Sequence, residues 1–113
     1  MRIMIVDPSE RIRAMVRETV CREHDVVSEH SNGLLASAEY GLFHPDVVLM
    51  EFEEMDVDDI SAAERILILH PGARIIFITN FTSAAFRLKA LQLNAAGFVS
   101  KERLSDLQLL LGR

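Results

Sequence analysis

The stretch Val47-Val48-Leu49-Met50-Glu51 decides the fold. Four apolar residues in unbroken succession, closed by an acid, read as a parallel strand covered on both faces, because a strand with one wet face alternates apolar and polar positions. Three other runs have the same form: Ile3-Met4-Ile5-Val6 ending at Asp7, Ile75-Ile76-Phe77-Ile78 ending at Thr79, and Phe98-Val99-Ser100 ending at Lys101. In open parallel sheets, ligands and chemistry collect beyond the carboxyl ends of the strands. Asp7, Glu51, Thr79 and Lys101 are therefore expected to meet at one pole.

Working outward, helical periodicity fills the intervals. Ile12, Met15, Val16, Thr19 and Val20 recur at i, i+3, i+4, i+7 and i+8, which predicts a helix over about 8–23. Residues 25–29 form a short and more polar strand, suited to a sheet edge. A second helix over 33–43 stops at His44-Pro45, since proline disfavours helix at the residue before it. The third spans about 58–69 and stops at His70-Pro71-Gly72. The fourth spans about 82–93, with Asn94 suited to a left-handed cap, and the last about 102–111. Five strand-helix units with short connections predict one doubly wound α/β domain over 1–113, with no effector domain expected in this chain.

Composition narrows the function classes. Half of the 113 residues are apolar and 26% are charged, as in an ordinary globular domain. No apolar run approaches the roughly 18 residues of a membrane span, and the first residues do not read as a signal peptide. One cysteine precludes an internal disulfide and fits a reducing compartment, so a cytoplasmic location is expected. Twelve basic against 17 acidic residues give −5, which leaves no basic face for nucleic acid. His24, His30, His44 and His70 lack metal-ligand spacing. The six acids from Glu51 to Asp59 lack the glycine and ligand spacing of a calcium loop. Cys21 reads as a small hydrophobe.

The segments "IMIVD", "PDVVLME", "RIIFIT" and "AAGFVSK", in that order and each followed by a helix, resemble the receiver domain of two-component response regulators over essentially the whole chain. The resemblance implies a flavodoxin-like sheet of order 2-1-3-4-5 with helices on both faces. It also implies that an acidic pair after the first strand and an Asp ending the third hold Mg²⁺, and that a histidine kinase phosphorylates that third-strand Asp. Thr or Ser after the fourth strand and Lys after the fifth contact the phosphoryl group in such domains. Carried over residue by residue, Asp7 matches the first acid of the pair, Glu51 stands at the phosphoacceptor position, and Thr79 and Lys101 match the phosphate contacts. Phe98 takes the aromatic switch position without a hydroxyl. The departures are Pro8 in place of the second acid, Glu51 itself, Glu102 where many receivers have Pro, and the turn Glu54-Met55-Asp56-Val57-Asp58-Asp59, which lacks the family's Pro and glycines.

These departures work against phosphoryl transfer. Mg²⁺ requires near-octahedral oxygen geometry and neutralises charge as the phosphoryl group moves. With Asp7 and Glu51 as the available donors, at most weak Mg²⁺ binding is expected, and no other cofactor. Glu51 reaches roughly 1.5 Å further than Asp, and errors of about 1 Å cost roughly 10²-fold in rate. The chain is therefore expected to be an atypical receiver, not an enzyme, that signals without aspartyl phosphorylation, with Glu51 and Lys101 in ion-pair distance at neighbouring strand ends. A phosphorylation-competent receiver and a flavodoxin-like small-ligand binder are the alternatives. Each residue also has a plainer reading. Asp7-Pro8-Ser9-Glu10 is a helix cap with Pro8 at the first helical position and Glu10 set for a capping box. Glu51 is a solvated acid, Thr79 a helix cap, Lys101 a solvated cation and Phe98 a core residue.

A contact surface is expected on the fourth helix, fifth strand and fifth helix, for a homodimer, a histidine kinase or a downstream effector. At 100° per residue, Ala84, Leu88 and Leu91 make the inward stripe of the fourth helix, leaving Phe86, Ala90 and Leu93 outward. In the fifth helix, Leu104, Leu107 and Leu111 face the core, Leu109 points outward and Leu110 lies on the flank. In receivers this face commonly carries partner contacts, as the resemblance implies here.

Overall fold

Alternate residues of the central strands feed two different cores, which is why their sequences do not alternate. The structure, a computed structural model, describes residues 1–52, 57–80 and 84–113, without the side chains of 57–59 and 86. In chain order the elements are β1 (Arg2–Val6), α1 (Glu10–Val20), β2 (Val26–His30), α2 (Gly33–Phe43), β3 (Val47–Glu51), α3 (Val57–Leu69), β4 (Ile75–Thr79), α4 (Ala84–Gln92), β5 (Gly97–Ser100), a 3-10 turn (Lys101–Arg103) and α5 (Asp106–Leu110). All five strands are parallel in the order β2-β1-β3-β4-β5. The flavodoxin-like order read from the sequence is the order observed.

Met4, Val6, Val48, Met50, Ile75 and Phe77 point to one face and pack beneath Ala36, Tyr40, Ala63, Ile66, Ala90 and Leu93 of α2, α3 and α4. Ile3, Ile5, Val47, Leu49, Ile76, Ile78 and Val99 point to the other, against Val16 and Val20 of α1 and Leu104, Leu107 and Leu111 at α5. β3 and β4 are buried at every position, whereas β2, at the edge, is nowhere fully buried.

Local chemistry shifts several boundaries. α1 begins at Glu10 because Ser9 is the cap, its Oγ accepting the Ile12 N–H at 3.2 Å. Pro8 therefore lies outside the helix and Glu10 is its first residue, so neither the proline position nor the capping box expected there occurs. His44 ends α2 in the left-handed region at φ 54°, and Asn94 takes the same conformation at φ 56° after α4. α5 is shorter than its periodicity suggested. Ser100 Oγ accepts the Glu102 N–H at 3.2 Å and winds 101–103 into a 3-10 turn, so the α-helix starts only at Asp106.

The faces of α4 are the reverse of those expected. Ala90 and Leu93 are buried, while Ala84, Leu88 and Leu91 are exposed, the two leucines at 57% and 77%. Both stripes are apolar, so periodicity identified them without saying which one faces the sheet. Docking is fixed at the end of the helix, where the Ala95 N–H reaches the Ala90 carbonyl at 3.0 Å and the Ala96 N–H the Ile75 carbonyl at 2.8 Å. The side chain of Phe86, expected outward, lies outside the described residues. In α5 the expected pattern holds: Leu104, Leu107 and Leu111 are buried, Leu109 is exposed and Leu110 partly so.

Candidate functional site

Parallel pairing brings the strand ends to one pole. β1 pairs with β3 through Val6 and Met50, so Asp7 and Glu51 follow side by side. Glu51 pairs with Ile78, and Thr79 with Ser100, which aligns the ends of β3, β4 and β5. β4 separates β3 from β5, so Lys101 reaches Glu51 across the end of β4 rather than from a neighbouring strand.

Lys101 Nζ donates to Glu51 Oε1 at 2.7 Å and lies 3.9 Å from Asp7 Oδ2. One ammonium thus faces two carboxylates. Asp7, Glu51 and Thr79 are all buried, with residue exposures of 3%, 9% and 1%. Burial gives these charges an environment in which pairing counts for more than at the surface. Glu51 is therefore not the solvated acid of the plainer reading, nor is Lys101 turned to water.

Asp7 is held from several sides. Its N–H donates to the His30 carbonyl at 3.1 Å, its Oδ1 accepts the Ser9 N–H at 2.8 Å, and Arg13 donates to its carbonyl at 2.6 Å. Burial pushes the Asp7 carboxyl above its ordinary value, and the Glu51 charge adds to this; the Ser9 N–H, Lys101 and Arg13 oppose it. Asp7 is not the helix cap, since Ser9 takes that place. Arg13 was not marked out by the sequence. It also pairs with Glu29 at 3.2 Å, tying α1 to β2 beside the pocket, and only its place one turn after the cap signals this.

Phe98, expected in the core, is 37% exposed on the edge strand β5. β5 is the edge strand beside β4, and alternation along it turns Phe98 outward while Val99 is buried. The acidic turn at 53–56 and the side chains of 57–59 lie outside the described residues. Among the described residues, no group of three or more His, Cys, Asp or Glu is placed to hold a metal, and no helix is long and apolar enough to cross a membrane.

Residues 3–111 match the family model of the response regulator receiver domain. The chain is 31% identical over 99 residues to a chemotaxis protein CheY of Halobacterium salinarum, covering 88% of this chain and 82% of that one. It is 34% identical over 105 residues to a protein-glutamate methylesterase/protein-glutamine glutaminase of Bradyrhizobium diazoefficiens, of which the matched part is only 26%. Among solved structures, a LuxR-family two-component response regulator from Aurantimonas sp. superimposes with a TM-score of 0.82 at 29% identity, over 99% of this chain and 86% of that one. A CheY-like receiver domain from Methanospirillum hungatei JF-1 gives 0.85 at 20% identity, over 98% and 90%.

Proposed function

This chain belongs to the response regulator receiver domain family, and from that premise we propose that it is an atypical receiver, one that signals through protein contacts without being phosphorylated at the third-strand position. The observation that carries the proposal is the Lys101–Glu51 pair at 2.7 Å, formed beside a pocket in which Pro8 supplies no carboxylate. A metal at the usual place would draw on Asp7 and Glu51. Lys101 already engages an oxygen of Glu51 and lies within 4 Å of Asp7, so these residues fit Mg²⁺ poorly. Glu51 instead sets a carboxylate paired with Lys101 where the family places its modified side chain. In this reading the chain has no catalytic activity of its own and works in the cytoplasm.

Its partners would be a second copy, a histidine kinase or a downstream effector, met through α4, β5 and α5. Among the described residues, the large apolar ones that point outward there are Leu88, Leu91, Phe98, Leu109 and Leu110. Ala90 and Leu93 are inward and leave the proposed surface.

The test is incubation with acetyl phosphate and Mg²⁺ followed by intact-mass spectrometry. An unmodified chain is expected, for wild type and for Glu51→Asp alike, because the second acid remains missing. A phosphorylated wild-type chain overturns the proposal in favour of a competent receiver.

A further inference from the structure

At the pole opposite the acid pocket, Asp25 sits in the turn before β2 with a side chain only 3% exposed. Four donors converge on it. Arg113 grips it with both terminal nitrogens, the second at 2.7 Å from Oδ1. The Arg22 N–H reaches Oδ2 at 2.7 Å, and the Met1 amino nitrogen lies 3.1 Å from Oδ1. A forked guanidinium-carboxylate pair of this kind is directional as well as strong.

Arg113 is brought there by the backbone. Gly112 adopts φ 74°, a conformation costly for a side chain, and turns the strand of chain so that the Arg113 N–H meets the Gln108 carbonyl at 2.7 Å. Its guanidinium then also donates to the Val20 carbonyl at 3.0 Å, while Gln108 donates to the Thr19 carbonyl at 2.8 Å. These two carbonyls are at the end of α1, where helix geometry leaves them without partners. α5 itself is five residues, too short to persist by its own hydrogen bonds.

We propose that Asp25 and Arg113 form a latch that holds α5 against α1, so that the position of α5 is set from the pole opposite the acid pocket. Arg113 holds the Asp25 carboxyl far below the usual carboxylate range. Asp25 is thus a positioning residue for Leu109 and Leu110; that consequence alone rests on the contact-surface reading above. The competing account is that Leu104, Leu107 and Leu111 hold α5 by packing, with the ion pair incidental.

Amide hydrogen exchange separates the two. In Arg113→Gln and in Asp25→Asn, the amides of 107–111 should exchange about tenfold faster or more, with those of β4 unchanged, as for a local opening. The double variant should fall well short of the sum of the two single effects, since both remove the shared ion pair. Should Asp25→Asn fail to fold, Arg113→Gln and Gly112→Ala carry the test. Unchanged exchange at 107–111 in Arg113→Gln overturns the latch, and equal acceleration in β4 shows a general stabilising pair instead. Neither result bears on phosphorylation, which is read separately by mass.

Discussion

Lys101 is the residue on which the charge balance of the pocket turns. Replacing it by Met strands the buried Glu51 and Asp7 carboxylates without that ammonium, which should cost about 2–4 kcal/mol in urea denaturation. Adding Glu51→Leu should recover part of the loss, because an apolar pair of similar size avoids the desolvation of both charges. Asp7 behaves differently. Its folded-state pKa is raised above the ordinary 3.8, chiefly by burial, so its contribution to stability is full below the unfolded value and is lost as pH rises through the folded one. At neutral pH the ionised carboxylate is therefore a burden. Asp7→Asn, which keeps an acceptor for the Ser9 N–H, should stabilise the domain at pH 7. The gain should shrink toward acid pH, and a melting series that shows it constant or growing there would contradict this account.

At the scale of elements, the central strands were legible because burial on both faces leaves an unbroken apolar run, as at 47–50 and 75–78. The helix faces were legible only where one face is polar. α5 follows its expected stripe and α1 buries Val16 and Val20 of its own while leaving Met15 exposed, but α4 has two apolar stripes, and contacts distant in sequence choose its buried side. Truncation should report that choice: Leu93→Ala should cost about 2–4 kcal/mol, whereas Leu91→Ala should stay within about 0.5. A comparable effect at both positions would mean that α4 docks by neither stripe alone. A further packing constraint lies between α2 and α3. A Cβ at Gly33 would stand 2.5 Å from the Ala62 Cβ, so the helices approach this closely only because residue 33 has no side chain. Gly33→Ala should thus destabilise by about 1–3 kcal/mol despite its better helix propensity. Nothing in the pattern 33–43 announces this, since a glycine opening a helix also reads as an ordinary boundary.

Across the whole molecule, the strand-end pocket and the exposed apolar residues of α4, β5 and α5 occupy different places. The strand-end positions of Asp7, Glu51, Thr79 and Lys101 were legible because parallel strands ending together must deliver their next residues to one pole. The roles of Arg13 and Arg113 were not, since their partners Glu29 and Asp25 lie 16 and 88 positions away in the sequence. Of the apolar residues expected outward, Leu109 and Leu110 are exposed whereas Ala90 and Leu93 are buried. With Ala90 and Leu93 inside, the large apolar residues that point outward, among the described ones, are Leu88 and Leu91 on α4, Phe98 on β5, and Leu109 and Leu110 on α5. Single exposed leucines are ordinary, but apolar residues gathered on neighbouring elements mark contact sites. Acidic substitutions at the most exposed of them, Leu91→Asp with Leu109→Asp, change no buried contact and should leave the melting temperature within a few degrees of wild type. If the surface serves self-association, light scattering should then find the mass reduced to that of a single chain, and if it serves a partner, pull-down with a histidine kinase or effector should be lost. A folded double variant that keeps both the wild-type mass and every partner would remove this face from the function of the domain.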